Sequence, residues 1–399
     1  MEDRDIAIWL GLDVGKTDHW ATAVNSEGQA LLSRSLPNDE GKIRQIYHDL
    51  LTEGQVLVVV DQPATIGALA VAVAQAMDIP IAYLPGLAMR RIADLYPGNA
   101  KTDQRDAFII AQAARTMPHT LRSLRMIDEN EAELAMLTGF DDDLARQLTQ
   151  TRNRMRGLFT QIHPALETVI GPRLDNRAIL EMLKTWPVPA QLRKAGRARV
   201  AAKLKKYGAR RWQAWTNEIF TALDAQSVTV VGTNATATIV PHLATLLTDL
   251  YAQRADIEAK IEALVTDHPL YPVLTSMPGI GVRTTAVIIA ELAGKHFPNA
   301  AALASYAGLT PRTRQSGTSI RSETLSHTGN KRLKRTLFLS AFASLRSDPT
   351  SRRYYDKKRL QGKRHNQAII ALAHRRLTVI YAMLRDGTLY ESHPTKHAA

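Results

Sequence analysis

Short apolar runs broken by polar turns open the chain and predict strands before helices. Residues 6–12 read as a buried strand, residues 13–18 as a turn, and residues 20–24 as a second strand. After the turn at NSEG, residues 30–36 make a third strand, whose polar content suits a sheet edge. A helical stretch at 40–51 leads to the β-branched run QVLVVV, which ends at Asp61; an alanine-rich helix at 66–77 and a short strand at 79–84 follow. The polar stretch NAKTDQRDA then gives way to FIIAQAA, a helix apolar nearly all round from Ala107 to Ala114 and therefore buried. The order β-β-β-α-β-α-β-α describes a mixed α/β domain. Crossovers favour parallel pairing of the later strands, and the first three can form a meander.

The pattern changes beyond it. Residues 129–164 form a long polar helix with Leu134, Leu137, Leu144, Leu148, Met155 and Leu158 near helical spacing, and residues 249–265 repeat the theme with Leu250, Ile257, Ile261 and Leu264. Such helices pair as an antiparallel coiled coil or join protomers. Between them lies a basic, partly helical insert, for which a spacer and a nucleic-acid clamp are equally good readings. From residue 276 to 292, SMPGIGVRTTAVIIAEL resembles a helix-hairpin-helix element, whose Gly279 and Gly281 would let backbone N–H groups approach phosphate. The expected domains are 1–125, α/β; 126–270, coiled coil and basic insert; and 271–399, mainly helical.

Composition narrows the function. A chain of 399 residues is too long for one ordinary core, and 45% hydrophobic with 22% charged residues is globular. The absence of cysteine excludes disulfides and thiolate catalysis. No apolar run reaches membrane-spanning length and the first residues are acidic, so a cytoplasmic, nucleoid-associated protein with no membrane partner is expected. The formal charge of +13 is uneven: residues 327–385 hold fifteen Lys and Arg against two acids, and nine more fall between Arg193 and Arg211 with no acid among them. That density implies a polyanionic partner, since Lys and Arg release counterions from phosphates.

Four carboxylates carry the candidate chemistry. Asp13 and Asp61 end strands, while Asp103 and Asp106 lie one helical turn apart at the start of the buried helix. Taken alone, Asp103 could cap that helix and Asp106 favour its positive end. If the two strands are neighbours, however, all four acids gather as in ribonuclease-H-like nucleases and hold Mg²⁺ or Mn²⁺ for phosphodiester chemistry. GLDVGKT is a decoy, because three residues separate Gly11 from Gly15 where the nucleotide-binding loop needs four. It also looks like the first phosphate loop of actin-like kinases, but no second Asp-Gly-Gly-type loop follows. Ser316, before Gly317 in a polar loop with Arg312, Arg314 and Arg321 nearby, is one of several loop serines that could attack a phosphate.

Together GLDVGKTDHW, Asp61, KTDQRDA, FPNAAALASYAGLTPRTRQSGT and SHTGNKRLKRTLF resemble the IS110 group of insertion-sequence transposases, described as DEDD-type, bridge-RNA-guided recombinases. The resemblance implies a RuvC-like N-terminal domain with acids at Asp13, Asp61, Asp103 and Asp106, and a C-terminal transposase domain with Ser316 as nucleophile. It further implies a phosphoserine–DNA intermediate, double-stranded element and target DNA, a structured guide RNA, and a homodimer or homotetramer whose serine comes from a partner protomer. The family's second acid is usually Glu; Asp61 is one methylene shorter. Expected nucleic-acid contacts are Lys101, Arg105, Gly279, Gly281, Arg312, Arg314, Arg321, Lys331, Arg332, Lys334 and Arg335. The alternative is a RuvC-like Holliday-junction resolvase or nuclease that uses metal-activated water.

Overall fold

The computed structural model describes residues 5–63, 66–97, 102–124, 128–316, 320–325 and 329–391, with backbone alone at 123, 311–316 and 320–325. The chain divides into two compact units, Met1–Asp128 with Leu292–Pro298, and Glu129–Glu291 with Asn299–Ala399.

The first unit contains β1 (Ile8–Asp13), β2 (Asp18–Val24), β3 (Ala30–Pro37), α1 (Glu40–Glu53), β4 (Val56–Val60), α2 (Ala68–Ala76), β5 (Ile81–Tyr83), α3 (Gly86–Ala93), α4 (Asp103–Thr116) and β6 (Arg122–Ser123). The sheet order is β3-β2-β1-β4-β5-β6, with β1, β4 and β5 mutually parallel and β2, β3 and β6 antiparallel to their neighbours. The polar third strand does lie at an edge, and most of its side chains are exposed. Two elements, α3 and β6, went unread in the sequence because neither is long enough to show a period.

Strand alternation divides the sheet's apolar residues between two cores. Val56, Val58 and Val60 join Leu10 and Leu12 against α1 and α2, whereas Leu57 and Val59 face Ile109, Ile110 and Ala113 of α4. β4 is buried on both faces, which explains its unbroken apolar run. On the second face a Cβ at Gly11 would stand 2.3 Å from the Ala107 carbonyl and 2.5 Å from the Ala111 nitrogen. Only glycine lets α4 lie so close to β1.

The second unit begins with α5 (Glu129–Ile162), followed by α6 (Pro164–Ile170), α7 (Arg177–Thr185), α8 (Pro189–Lys206), α9 (Trp212–Asp224) and α10 (Thr233–Thr266). α10 starts well before residue 249, through a Thr-rich first half that contains Pro241 and buries one stripe, Thr236, Val240, Ala244 and Leu247. Gln226 Nε2 donates to the Ile162 carbonyl at one end (2.8 Å), and Arg254 Nε donates to Asp141 at the other (2.7 Å), so α5 and α10 run antiparallel. The insert between them shares one core with both, including Phe159, Leu180, Leu192, Ile219 and Leu247. It is a packed helical bundle.

The remainder comprises α11 (Tyr271–Thr275), α12 (Val282–Leu292), α13 (Ala300–Tyr306), the antiparallel strands β7 (Pro311–Ser316) and β8 (Ile320–Leu325), α14 (Lys331–Ser347), α15 (Pro349–Leu360) and α16 (His365–Asp386). Arg376, only 3% exposed, donates to the Pro278 carbonyl (2.5 Å) and to Ser340 (3.2 Å) and Ser351 (3.3 Å). Burial pushes its guanidinium pKa down to about 10, against the pull of Asp348. This side chain ties the PGIG turn to α14 and α15.

Candidate active site

Register brings the first two acids together. Leu12 of β1 pairs with Val60 of β4, so the next residues, Asp13 and Asp61, leave adjacent parallel strands side by side. Alternation puts Asp13 on the same face as Gly11, the face that receives α4. Ala107 and Ala111 rest on Gly11, which fixes the first turn of α4 beside the strand ends. Asp106 is the residue before Ala107; Asp103 lies a turn earlier and is exposed. The helix cap is Thr102, whose hydroxyl accepts from the Arg105 backbone (3.2 Å). Asp103 is therefore not the cap, and its carboxylate sits in the first helical turn.

Asp61 records the crowding. Its carboxyl pKa is raised chiefly by burial; hydrogen bonds from the Val14 backbone and Gln62 pull the other way, and the negative charge of Asp106 adds the smallest contribution upward. Its Oδ1 is buried without a hydrogen-bond partner. An orphaned carboxylate oxygen costs about 1–3 kcal/mol or more unless a cation or water satisfies it. Hard carboxylate donors next to an unsatisfied oxygen fit a divalent cation. Among the described residues, no three His, Asp or Glu side chains already converge as a metal-holding group. Behind the acids, the turn after β1 is pinned by Gly15 N–H donating to His19 Nδ1 (3.2 Å), and burial lowers the His19 pKa.

The other expected contacts divide. Lys101 lies outside the described residues. Arg105 donates to the Tyr96 carbonyl (3.0 Å), a bond within the first unit. Gly279 has φ +82°, and a Cβ there would stand 2.6 Å from the Ser340 carbonyl, so that glycine serves packing; Gly281 faces open space. Ser316 is the last residue of β7, paired with Ile320, rather than part of an irregular loop. Neither PRTRQS nor IRSETL alternates apolar with polar residues, so the sequence carries no strand period here. Gly317 and the side chains of Ser316, Arg312, Arg314 and Arg321 lie outside the described residues.

Lys331, Arg332, Lys334 and Arg335 crowd the first turns of α14, where the helix dipole disfavours cations. Arg332 is spent within the fold: its Nε meets Asp142 (2.6 Å) and its Nη1 meets Glu291 (3.1 Å). Lys331 and Arg335 are exposed. Glu291 also accepts from the Asn330 side chain, which caps α14 through the Leu333 N–H (2.9 Å) and donates to Tyr306 Oη (2.9 Å). This cluster anchors the chain where it leaves the β7–β8 hairpin, and it was missed in the sequence. A hint lay in Asp141–Asp142–Asp143, a like-charge run on one helix that favours cations nearby.

The first unit thus sets acids at the ends of two adjacent parallel strands of a mixed sheet, with a carboxylate-bearing helix beside them. Residues 10–164 match the DEDD-type IS110 transposase model, and residues 271–356 match that of the IS116/IS110/IS902 transposase family. The chain is 54% identical over 393 residues to the insertion element IS110 43.6 kDa protein of Streptomyces coelicolor, covering 98% of this chain and 97% of that one. It is 38% identical to the insertion element IS900 42 kDa protein of Mycobacterium paratuberculosis, covering 98% and 99%. A pilin gene-inverting protein of Moraxella bovis is 35% identical over 121 residues, 30% of this chain and 38% of that one. The chain belongs to the IS110 family of insertion-sequence transposases. Among solved structures, Thermus thermophilus RuvC with a Holliday junction matches 26% of this chain and 90% of its own, at 15% identity and a TM-score of 0.22. No helix among the described residues is long and apolar enough to cross a membrane.

Proposed function

We infer that this transposase cuts and exchanges DNA strands through a covalent phosphoserine intermediate. The observation that supports the metal-assisted part of the reading is Asp61, held beside Asp13 by strand register with one oxygen unsatisfied. The serine step rests on membership of the transposase family. Asp13, Asp61, Asp103 and Asp106 would hold Mg²⁺ or Mn²⁺, which supplies charge neutralisation at a scissile phosphate. Ser316 Oγ attacks phosphorus, the bond from phosphorus to the 3′ oxygen breaks, and the serine proton ends on the released 3′ hydroxyl. The 5′ phosphate stays on the serine. Attack by a 3′ hydroxyl of a second strand reverses the step and restores Ser316. The arginines near Ser316, Arg312, Arg314 and Arg321, stabilise charge on the equatorial oxygens.

The family resemblance supports a serine donated by a partner protomer, in a homodimer or homotetramer assembled on element and target DNA. It also supports a structured guide RNA that reads sequence by base pairing while the protein grips backbone and shape. Lys101, Lys331, Lys334 and Arg335 are further contacts in this reading, in a nucleoid-associated cytoplasmic protein.

The test incubates purified full-length protein with Mg²⁺, element-junction DNA and transcripts of the element's flanking non-coding sequence. A covalent protein–DNA adduct should form and should vanish in Ser316→Ala. Cleavage that survives Ser316→Ala would instead favour a resolvase or nuclease using water, and an adduct formed without any transcript would remove the guide RNA.

A further inference from the structure

The helical insert carries a cationic face that the chemistry above does not use. Nine Lys and Arg fall between residues 193 and 211, and no acid occurs between Glu181 and Glu218. Two of the cations serve the fold. Arg193 donates to the carbonyls of Leu223 and Gln226, and Arg199 donates to those of Ala195 (2.7 Å) and Lys194 (2.9 Å), where Gly196 breaks α8. Others rest on aromatic rings: Lys203 and Lys206 lie 5.1 and 5.7 Å from the Tyr207 ring centre, Lys205 lies 5.6 Å from Trp212, and Arg197 lies 5.0 Å from Phe220. A ring orients a cation but does not neutralise it. The neighbouring acids are engaged elsewhere, Glu181 with Lys184 and Glu218 with Arg173, and Asp224 stands 3.9 Å from Arg197. Among the described residues, no carboxylate pairs with Lys194, Lys205, Lys206, Arg210 or Arg211, all of them exposed.

From this pre-arranged, uncompensated charge we propose that the α8 face and the turn after it grip the backbone of double-stranded DNA without reading its sequence. The stretch from Arg197 to Lys206 is about 15 Å long as helix, and a duplex of that length carries roughly nine phosphate charges. Tyr207 and Trp212 are overlaid by lysines, so they do not form an open platform for unpaired bases, and a single strand gains less from this surface than a duplex. The proposal rests on the reading that this chain handles DNA, but it concerns binding alone.

The test compares the full-length protein with a Lys194→Gln, Lys205→Gln, Lys206→Gln and Arg211→Gln variant. Each is titrated by fluorescence anisotropy against a duplex of arbitrary sequence, in EDTA and without RNA, over a salt series. Each lost phosphate contact reduces the slope of log K against log salt by about 0.9, so the four together should flatten it by roughly 3 to 4 and weaken binding at least tenfold. The melting temperature should not change, because all four side chains are exposed. An unchanged slope and affinity would overturn the proposal, as would a larger loss for a structured RNA hairpin than for the duplex. Because no cleavage is measured, failure here leaves the Ser316 adduct test standing, and the reverse holds too.

Discussion

The acid cluster and the basic insert gather like charges by different means. In the first unit the backbone does it: parallel register sets Asp13 beside Asp61, and a helix pressed onto Gly11 brings Asp106 near enough to Asp61 to act on its charge. In the insert side chains do it, with Tyr207, Trp212 and Phe220 holding lysines and an arginine on a helix surface. The backbone arrangement leaves almost no tolerance in position, which suits chemistry on one phosphate. The side-chain arrangement is adaptable, which suits a long polyanion. A change in the first should therefore act in an all-or-none way, and a change in the second by degrees.

The largest expected effect comes from Asp61→Asn or Asp106→Asn. Either should lower strand cleavage by about 10²–10³-fold, the scale of losing one electrostatic contributor to a transition state. Thermal stability should stay equal or rise, because a buried like-charge interaction is relieved. A gel assay beside a melting curve reads both, and a large stability loss would show that the carboxylates are structural. Arg376→Met comes next: removing a buried guanidinium from its partners costs about 3–5 kcal/mol in urea unfolding, whereas Arg211→Gln in the insert should cost nearly nothing.

Gly11→Ala should destabilise by about 3 kcal/mol, since its Cβ meets backbone atoms that cannot give way. Full stability in that variant would refute the close α4–β1 approach. Smaller still is the contrast on α14. Arg332→Gln should cost stability by about 1–3 kcal/mol, because Asp142 and Glu291 lose their partner. Lys331→Gln should instead leave stability alone and reduce the salt slope of DNA binding by about 1.

The smallest effect is a pH dependence. His163 is buried, caps α6 through Nδ1 accepting from the Leu166 N–H (3.2 Å), and has its pKa lowered by burial and by Arg193. Below the ordinary histidine value the unfolded chain takes up a proton that the folded chain refuses, so stability falls as pH drops from 7 to 5. His163→Asn keeps a cap and should flatten that part of the melting-temperature profile. An unchanged slope would place the dependence elsewhere.

Much of this molecule was legible as pattern. The alternating runs, the apolar QVLVVV and the all-round apolar start of α4 marked the elements of the first unit other than α3 and β6, because burial on one or two faces leaves its period in the chain. Acids placed at the ends of such runs singled out Asp13, Asp61, Asp103 and Asp106 as candidates, and the cation runs suggested a polyanionic partner. Tertiary structure alone decided the rest. That Thr102 rather than Asp103 caps α4 depends on local dihedral angles. That Ser316 ends a strand depends on its partner strand, since a polar hairpin has no apolar face to reveal it. Arg332 looked like a phosphate ligand until Asp142, nearly two hundred residues earlier, proved to be its partner. Sequence shows which charges exist and how they are spaced along one element; it cannot show which are neutralised, because ion pairing is set by distance across the fold.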